Sequence, residues 1–318
     1  LLNIQHDTAG KYGKLAMNHA EQTRKIAADD GFIAALDQSG GSTPKALAGY
    51  GIDAGAWSNE TEMYALIHAM RARIITSPAF TGKKVLGAIL FERTMDGLID
   101  GQPVPGVLDA KGVVPFIKID KGLEDEVDGV QLLKPIPGLA DLLARSKALG
   151  VFGTKERSVI NSANPAGIAA VVRQQFDLAG DVLAAGLMPI IEPEVNIKSA
   201  TRAAADELLL KEILANLDAL PAGVQVMLKL SLPVVPGLFT PLVAHPGVLR
   251  VVALSGGYAR PEACVELAKN AGIIASFSRA LLEGLRYQMT DAQFDAELGE
   301  AIDEIYTGST VKSLAIAA

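Results

Sequence analysis

Eight short apolar runs recur along the 318 residues of this chain, most of them separated by stretches with helical patterning. They are GFIAALD (31–37), VLGAILF (85–91), VPFIKID (114–120), VFGTKERS (151–158), LMPIIEPE (187–194), VMLKLSLP (226–233), VLRVVALSG (248–256) and IIASFSR (273–279). Runs without strict apolar–polar alternation suit parallel strands that are covered on both faces. Eight of them over this length predict an α/β fold, a single closed (β/α)8 TIM barrel, with a doubly wound open sheet as the alternative. Helices are expected over 14–30, near Pro44, after a cap at Ser58 or Asn59, over 139–149, from Asn164 through Ala185, and over 199–218. Thr290 and Gln293 have the spacing of a capping box for a last helix, to about Tyr306. The whole chain, 1–318, reads as one barrel domain, with an N-terminal helical segment (about 1–30) and a C-terminal helix and tail (about 290–318). At 49% hydrophobic residues it can fill one large core.

The C-terminal parts of these runs are where the polar residues collect. They carry Asp37, Glu92, Lys118 with Asp120, Lys155 with Arg157, Glu192 with Glu194, Lys229, Ser255 and Arg279. In a barrel those ends meet at one mouth, the face on which active sites form. Lys229 stands in the middle of an almost wholly apolar run. Burial there, with Lys118 and Lys155 nearby, favours its neutral amine, a nucleophile that forms a Schiff base with a carbonyl carbon. Taken alone, a strand lysine is more simply one that carries its charge to the strand end. The company at the other strand ends favours the nucleophile. Glu192 or Glu194 can serve as acid and base, and Asp37 can take a proton from a substrate hydroxyl.

Two stretches suit anions. SGGYAR, with Ser255, Gly256 and Gly257, follows a strand and precedes a helix, so its backbone N–H groups can approach an anion. Arg279 from the next run could add a charged fork. QSGGST (38–43) offers Ser39 and Ser42 elsewhere on the mouth. Two anion sites flanking a lysine imply a bisphosphate substrate.

The totals exclude other classes. A net charge of −7 and a pI of about 5.2 give no global basic field for nucleic acid. No run approaches a membrane span, and the first residues lack the pattern of a secretory signal. Four scattered histidines lack metal-ligand spacing, and neither a metal nor a cofactor is expected. The single cysteine, Cys264, is expected to pack as a small apolar residue, and cysteine poverty fits a reducing compartment. A cytoplasmic location is expected. The start at Leu1 leaves room for a removed leader, plastid import included.

The stretches at 31–47, 86–97, 112–122, 152–158, 189–197, 226–233, 251–260 and 275–281 together resemble the class I fructose-1,6-bisphosphate aldolases of the shorter, mostly bacterial type. The resemblance implies a metal-independent lyase of glycolysis and gluconeogenesis that is a homodimer or homotetramer. It makes Lys229 the Schiff-base lysine and Glu192 the acid that dehydrates the carbinolamine. Glu194 and Lys155 assist, and Asp37 takes the proton from the hydroxyl on carbon 4. Ser255, Gly256, Gly257 and Arg279 would hold the phosphate on carbon 1, and Ser39, Ser42 and Lys118 the one on carbon 6. Arg157 adds positive potential, and Asp120 supports the lysines. Two departures stand out: Gln38 replaces the glutamate of the animal enzymes, and SLAIAA replaces their terminal tyrosine, which leaves the proton donor to the enamine unassigned. Other readings are an aldolase or transaldolase-like enzyme for another phosphorylated sugar, a metal-dependent or mononucleotide-binding barrel, and a non-catalytic barrel serving as a scaffold.

Overall fold

The computed structural model describes residues 17–313. Eight parallel strands form the wall: β1 (Phe32–Leu36), β2 (Val85–Leu90), β3 (Val114–Lys118), β4 (Gly153–Ile160), β5 (Met188–Val195), β6 (Val226–Ser231), β7 (Val248–Leu254) and β8 (Ile273–Ala275). Each pairs with the next in chain order. The N–H of Ala35 on β1 donates to the carbonyl of Phe277 just past β8, at 3.0 Å, and closes the ring. Around it lie α1 (His19–Ala28), α2 (Ser42–Gly49), α3 (Glu60–Thr76), α4 (Val104–Ala110), α5 (Leu139–Ala148), α6 (Pro165–Ala184), α7 (Arg202–Asp218), α8 (Arg260–Ala268) and α9 (Asp291–Thr310). The β6–β7 connection carries only a four-residue helical turn, Thr240–Val243.

Strand alternation divides the core in two. On β6, Val226, Leu228 and Leu230 face outward into the large cluster between strands and helices, while Met227 faces inward. The inner cluster also holds Ile33, Ile89, Phe116, Ile190, Val252 and Ile274, a packed floor rather than a pore. The ring of Phe116 lies where Cβ atoms on Gly87 of β2 and Gly153 of β4 would be, each within 2.9 Å of it. Those two glycines are what let a phenylalanine fit inside the barrel.

Helix α1 closes the N-terminal end of the barrel. Ile26 belongs to the inner cluster, His19 packs on Phe152 with ring centroids 5.0 Å apart, and Lys25 donates to the Gly82 carbonyl at 2.6 Å. It begins at His19 rather than at residue 14, because Asn18 and Glu21 form a capping box; residues 14–16 lie outside the described residues.

Three other expectations are corrected. The fourth strand lies two residues further along than 151–158. Ahead of α5, Val130–Gln131 pairs antiparallel with Val159 and Ile160. β4 outruns β3, whose ladder partners stop at Lys118 opposite Lys155, and the added pair satisfies backbone groups the ladder would leave open. The eighth strand ends at Ala275 instead of Arg279, since the following residues turn their backbone to the barrel closure. The last helix reaches Thr310, past Tyr306, and Cys264 is buried against its Gly308.

Gly153→Ala is predicted to be strongly destabilising. Its Cβ would stand 2.1 Å from the Met188 carbonyl oxygen and 2.9 Å from the Phe116 ring. A loss of about 3 kcal/mol is expected, read as a lower urea midpoint at unchanged slope.

Candidate active site

At the C-terminal end of the strands lies a cavity of about 1060 Å³. The fourteen residues given site roles from the sequence line it: Asp37, Ser39, Ser42, Lys118, Asp120, Lys155, Arg157, Glu192, Glu194, Lys229, Ser255, Gly256, Gly257 and Arg279. The barrel explains the convergence. Side chains two apart on a strand share a face, so the inward face of β6 carries Met227 in the floor and Lys229 one layer above it.

Four charged groups form the centre. Lys155 Nζ lies 2.6 Å from Asp37 Oδ2 and 2.9 Å from Glu192 Oε2, and Lys229 Nζ lies 3.4 Å from Glu192 Oε1. Lys155, Lys229 and Glu192 are each only 3% exposed. Burial alone would push both carboxyls up. The charges of Lys155 and Lys229 outweigh it and hold Asp37 well below the ordinary carboxylate range and Glu192 below its usual value. Burial would likewise discharge Lys155, but Asp37, Glu192 and Asp120 raise it further above the ordinary lysine value. Two carboxyl groups and two lysine side chains thus face one another in a buried layer at the base of the cavity. Lys155 is engaged by carboxylates on both sides, and Lys118 by Asp120 at 2.6 Å, instead of both facing Lys229 as bare charges. Arg157 pairs with Glu194 beside the centre, and burial, Glu194 and Glu192 act on it so that its guanidinium is held charged.

The turn after β7 has the backbone an anion site requires. Gly256 and Gly257 have φ of +62° and +121°, and a Cβ on Gly256 would come within 2.6 Å of Ile197. The guanidinium of Arg279 lies beside Gly257, and both residues line the cavity together with Ser255 and Gly256. Tyr258 in the same turn accepts a hydrogen bond from Arg202 of α7 at 3.0 Å, and Arg202 also donates to the Leu232 carbonyl at the exit of β6. On the β1 side, the Ser42 hydroxyl donates to the Ser39 carbonyl at 2.8 Å and accepts the Ser39 N–H at 2.9 Å, which shapes the loop before α2.

Some of the mouth was not foreseen. Lys45 and Arg286 also line the cavity. Lys45 lies three residues after Ser42, one helical turn along α2, and that spacing was a usable signal. Arg286 is in an irregular segment after Arg279 and had none. Glu92, by contrast, is not in the cavity lining; it pairs with Lys121 and Arg145, each at 2.6 Å. Among the described residues, no group of three or more His, Cys, Asp or Glu is placed to hold a metal ion.

Comparison with known proteins agrees with this geometry. A family model described as fructose-bisphosphate aldolase class-I matches residues 18–229. A fructose-bisphosphate aldolase class 1 from Synechocystis is 55% identical over 91% of this chain and 97% of its own length. One from Porphyromonas gingivalis is 51% identical over 91% and 98%. Among solved structures, a fructose-bisphosphate aldolase from Plasmodium falciparum superposes with a TM-score of 0.78 at 21% identity, covering 92% of this chain and 94% of its own; at that identity it speaks for the fold. With the family model covering most of the barrel and both bacterial relatives matching nearly end to end, the chain belongs to the class I fructose-bisphosphate aldolase family.

Proposed function

We propose that this protein reversibly cleaves fructose 1,6-bisphosphate to dihydroxyacetone phosphate and glyceraldehyde 3-phosphate through a Schiff base on Lys229. The observation that carries this reading is the buried Lys229 amine 3.4 Å from Glu192, in a cavity with anion-binding features at both ends. Lys229 passes a proton to Glu192 and attacks the ketone carbon 2 as a neutral amine. Glu192 returns the proton to the carbinolamine hydroxyl, which leaves as water, and the nitrogen lone pair closes the iminium. Asp37, kept ionised by Lys155, takes the proton of the hydroxyl on carbon 4. The electrons of the bond between carbons 3 and 4 move to the iminium, the aldehyde departs, and an enamine remains. A proton on carbon 3 and water at carbon 2 then release the ketone and regenerate the amine.

The family resemblance supports the phosphate roles. Ser255, Gly256, Gly257 and Arg279 hold the phosphate on carbon 1. Ser39, Ser42 and Lys118 hold the one on carbon 6, and Arg157 and Lys45 add positive potential. Glu194 positions Arg157, and Asp120 positions Lys118. We further read the whole chain as one domain that works as a homodimer or homotetramer in the cytoplasm. The family resemblance and the bacterial relatives support this. Among the described residues no helix is long and apolar enough to cross a membrane.

Incubation with dihydroxyacetone phosphate followed by borohydride is expected to label Lys229 alone, as mapped by mass spectrometry. An adduct elsewhere would refute the reading. Lys229→Met should fold and lose cleavage, while Asp37→Asn should still form the adduct but cleave the bisphosphate at least about a hundredfold more slowly. Arg279→Ala should raise KM for the bisphosphate by about tenfold or more, with little change in melting temperature.

Lys155→Met would leave buried Asp37 without its ion-pair partner and Glu192 with Lys229 alone, and is expected to cost about 3–5 kcal/mol at neutral pH. The pH dependence fixes the sign. In the parent, Asp37 and Glu192 are depressed, so their contribution is present above the unfolded carboxylate values and lost as pH falls through the folded ones. In the variant burial prevails at Asp37, which titrates above its unfolded value; the folded state then binds more protons there, and stability falls as pH rises. Denaturant midpoints at pH 5 and pH 8 should therefore show the variant closer to the parent at pH 5.

A further inference from the structure

Arg71 of α3 is fully buried, yet among the described residues no carboxylate lies within ion-pair distance of it. Burial holds its guanidinium down to about 10. Its fork is spent on neutral oxygens. Nη2 donates to the Gln38 carbonyl at 2.5 Å and to Gln38 Oε1 at 3.2 Å, and Nη1 donates to Thr94 Oγ1 at 2.7 Å. A guanidinium has only donors, so the atom of the Gln38 side chain that faces it must be the oxygen. The amide nitrogen is thereby fixed on the other side, where Nε2 donates to Ser278 Oγ at 2.6 Å. Ser278 then accepts at that contact, and its own hydrogen must point elsewhere. No acceptor among the described residues takes it, and Ser278 lines the cavity next to Arg279.

The position matters as much as the direction. Gln38 follows Asp37 at the top of β1, and Ser278 lies just beyond β8. The relay spans the seam where the barrel closes. It delivers a hydroxyl donor to the cavity from an element that the ladder no longer holds. Resting on the reading under Proposed function, we propose that Ser278 is a specificity-determining residue: the Arg71–Gln38 pair obliges its hydroxyl to donate into the cavity, to the substrate phosphate held by Arg279. Gln38 is a positioning residue in this scheme. A glutamate at that position would present two acceptors and no donor. It would pair with Arg71, and the Ser278 hydroxyl would turn to donate to it, away from substrate.

The test compares cleavage of fructose 1-phosphate and fructose 6-phosphate, each of which carries one of the two phosphates. Ser278→Ala is expected to lower the ratio of kcat/KM for the 1-phosphate over the 6-phosphate about tenfold. Gln38→Glu, which leaves Ser278 in place, is expected to lower the same ratio by a similar factor without lowering the melting temperature. The double variant should lose no more than either single one. A role confined to seam packing would slow both substrates alike and leave the ratio where it was. An unchanged or increased ratio in either variant overturns the proposal, and should Ser278→Ala fail to fold, Gln38→Glu decides alone. If the parent itself gives no borohydride adduct on Lys229, the aldolase reading has failed. If the parent is labelled and the ratio does not move, only the relay has.

Discussion

The contact on which the rest depends is the bridge from Lys155 to Asp37 and Glu192, at 2.6 and 2.9 Å. Neither carboxylate would tolerate such burial without a cation, and the cation would not tolerate it without them. The three groups come from β4, β1 and β5, which are far apart in sequence. Only a closed barrel brings β1 round to face β4 and β5 across its interior. The fold and the charge cluster therefore require each other. The apolar floor of Phe116, Met227 and Ile190, with α1 beneath it, is what keeps that layer dry from below.

That division of the interior into a packed floor and a charged layer was largely legible in the sequence. The inward face of each strand is fixed by its period of two, and the polar residues cluster toward one end of each run, so a barrel had to gather them. The centre of the site was legible for the same reason. What escaped were features set by contacts between distant segments. The antiparallel arm at Val130–Gln131 exists because β4 outruns β3, a matter of relative strand length that no single run displays. Glu92 sits at a strand end like the others, but Lys121 and Arg145 draw it aside. The environment of Lys229 was anticipated as cationic, whereas each neighbouring lysine brings its own carboxylate. Periodicity locates a charge; it does not say which opposite charge will reach it first.

Around the centre, the outer elements act by fixing backbone. Arg202 of α7 holds both the exit of the Lys229 strand, through the Leu232 carbonyl, and the turn at Gly256–Gly257, through Tyr258. Asp206, one turn further along α7, accepts the Val234 N–H at 3.0 Å, and burial pushes its carboxyl up to about 6. The exit of the Lys229 strand and the turn at Gly256–Gly257 are thus tied to one helix. Arg71 does the corresponding task on the opposite side through Gln38.

Under the proposed mechanism, the charge balance also favours a Schiff base on Lys229. At rest, Asp37 and Glu192 face the side chains of Lys155 and Lys229. Loss of a proton from Lys229 to Glu192 moves charge within the cluster and leaves its sum unchanged. The proton then leaves with the carbinolamine oxygen as water, and the iminium restores the positive charge on the same nitrogen, beside the same carboxylate. At no stage up to carbon–carbon cleavage does the buried layer hold a net charge larger than one unit. In a medium of low effective dielectric that condition governs which intermediates are accessible. An oxyanion left at carbon 2 would add a negative charge to two carboxylates already present, whereas the iminium meets a site that is preorganised for it.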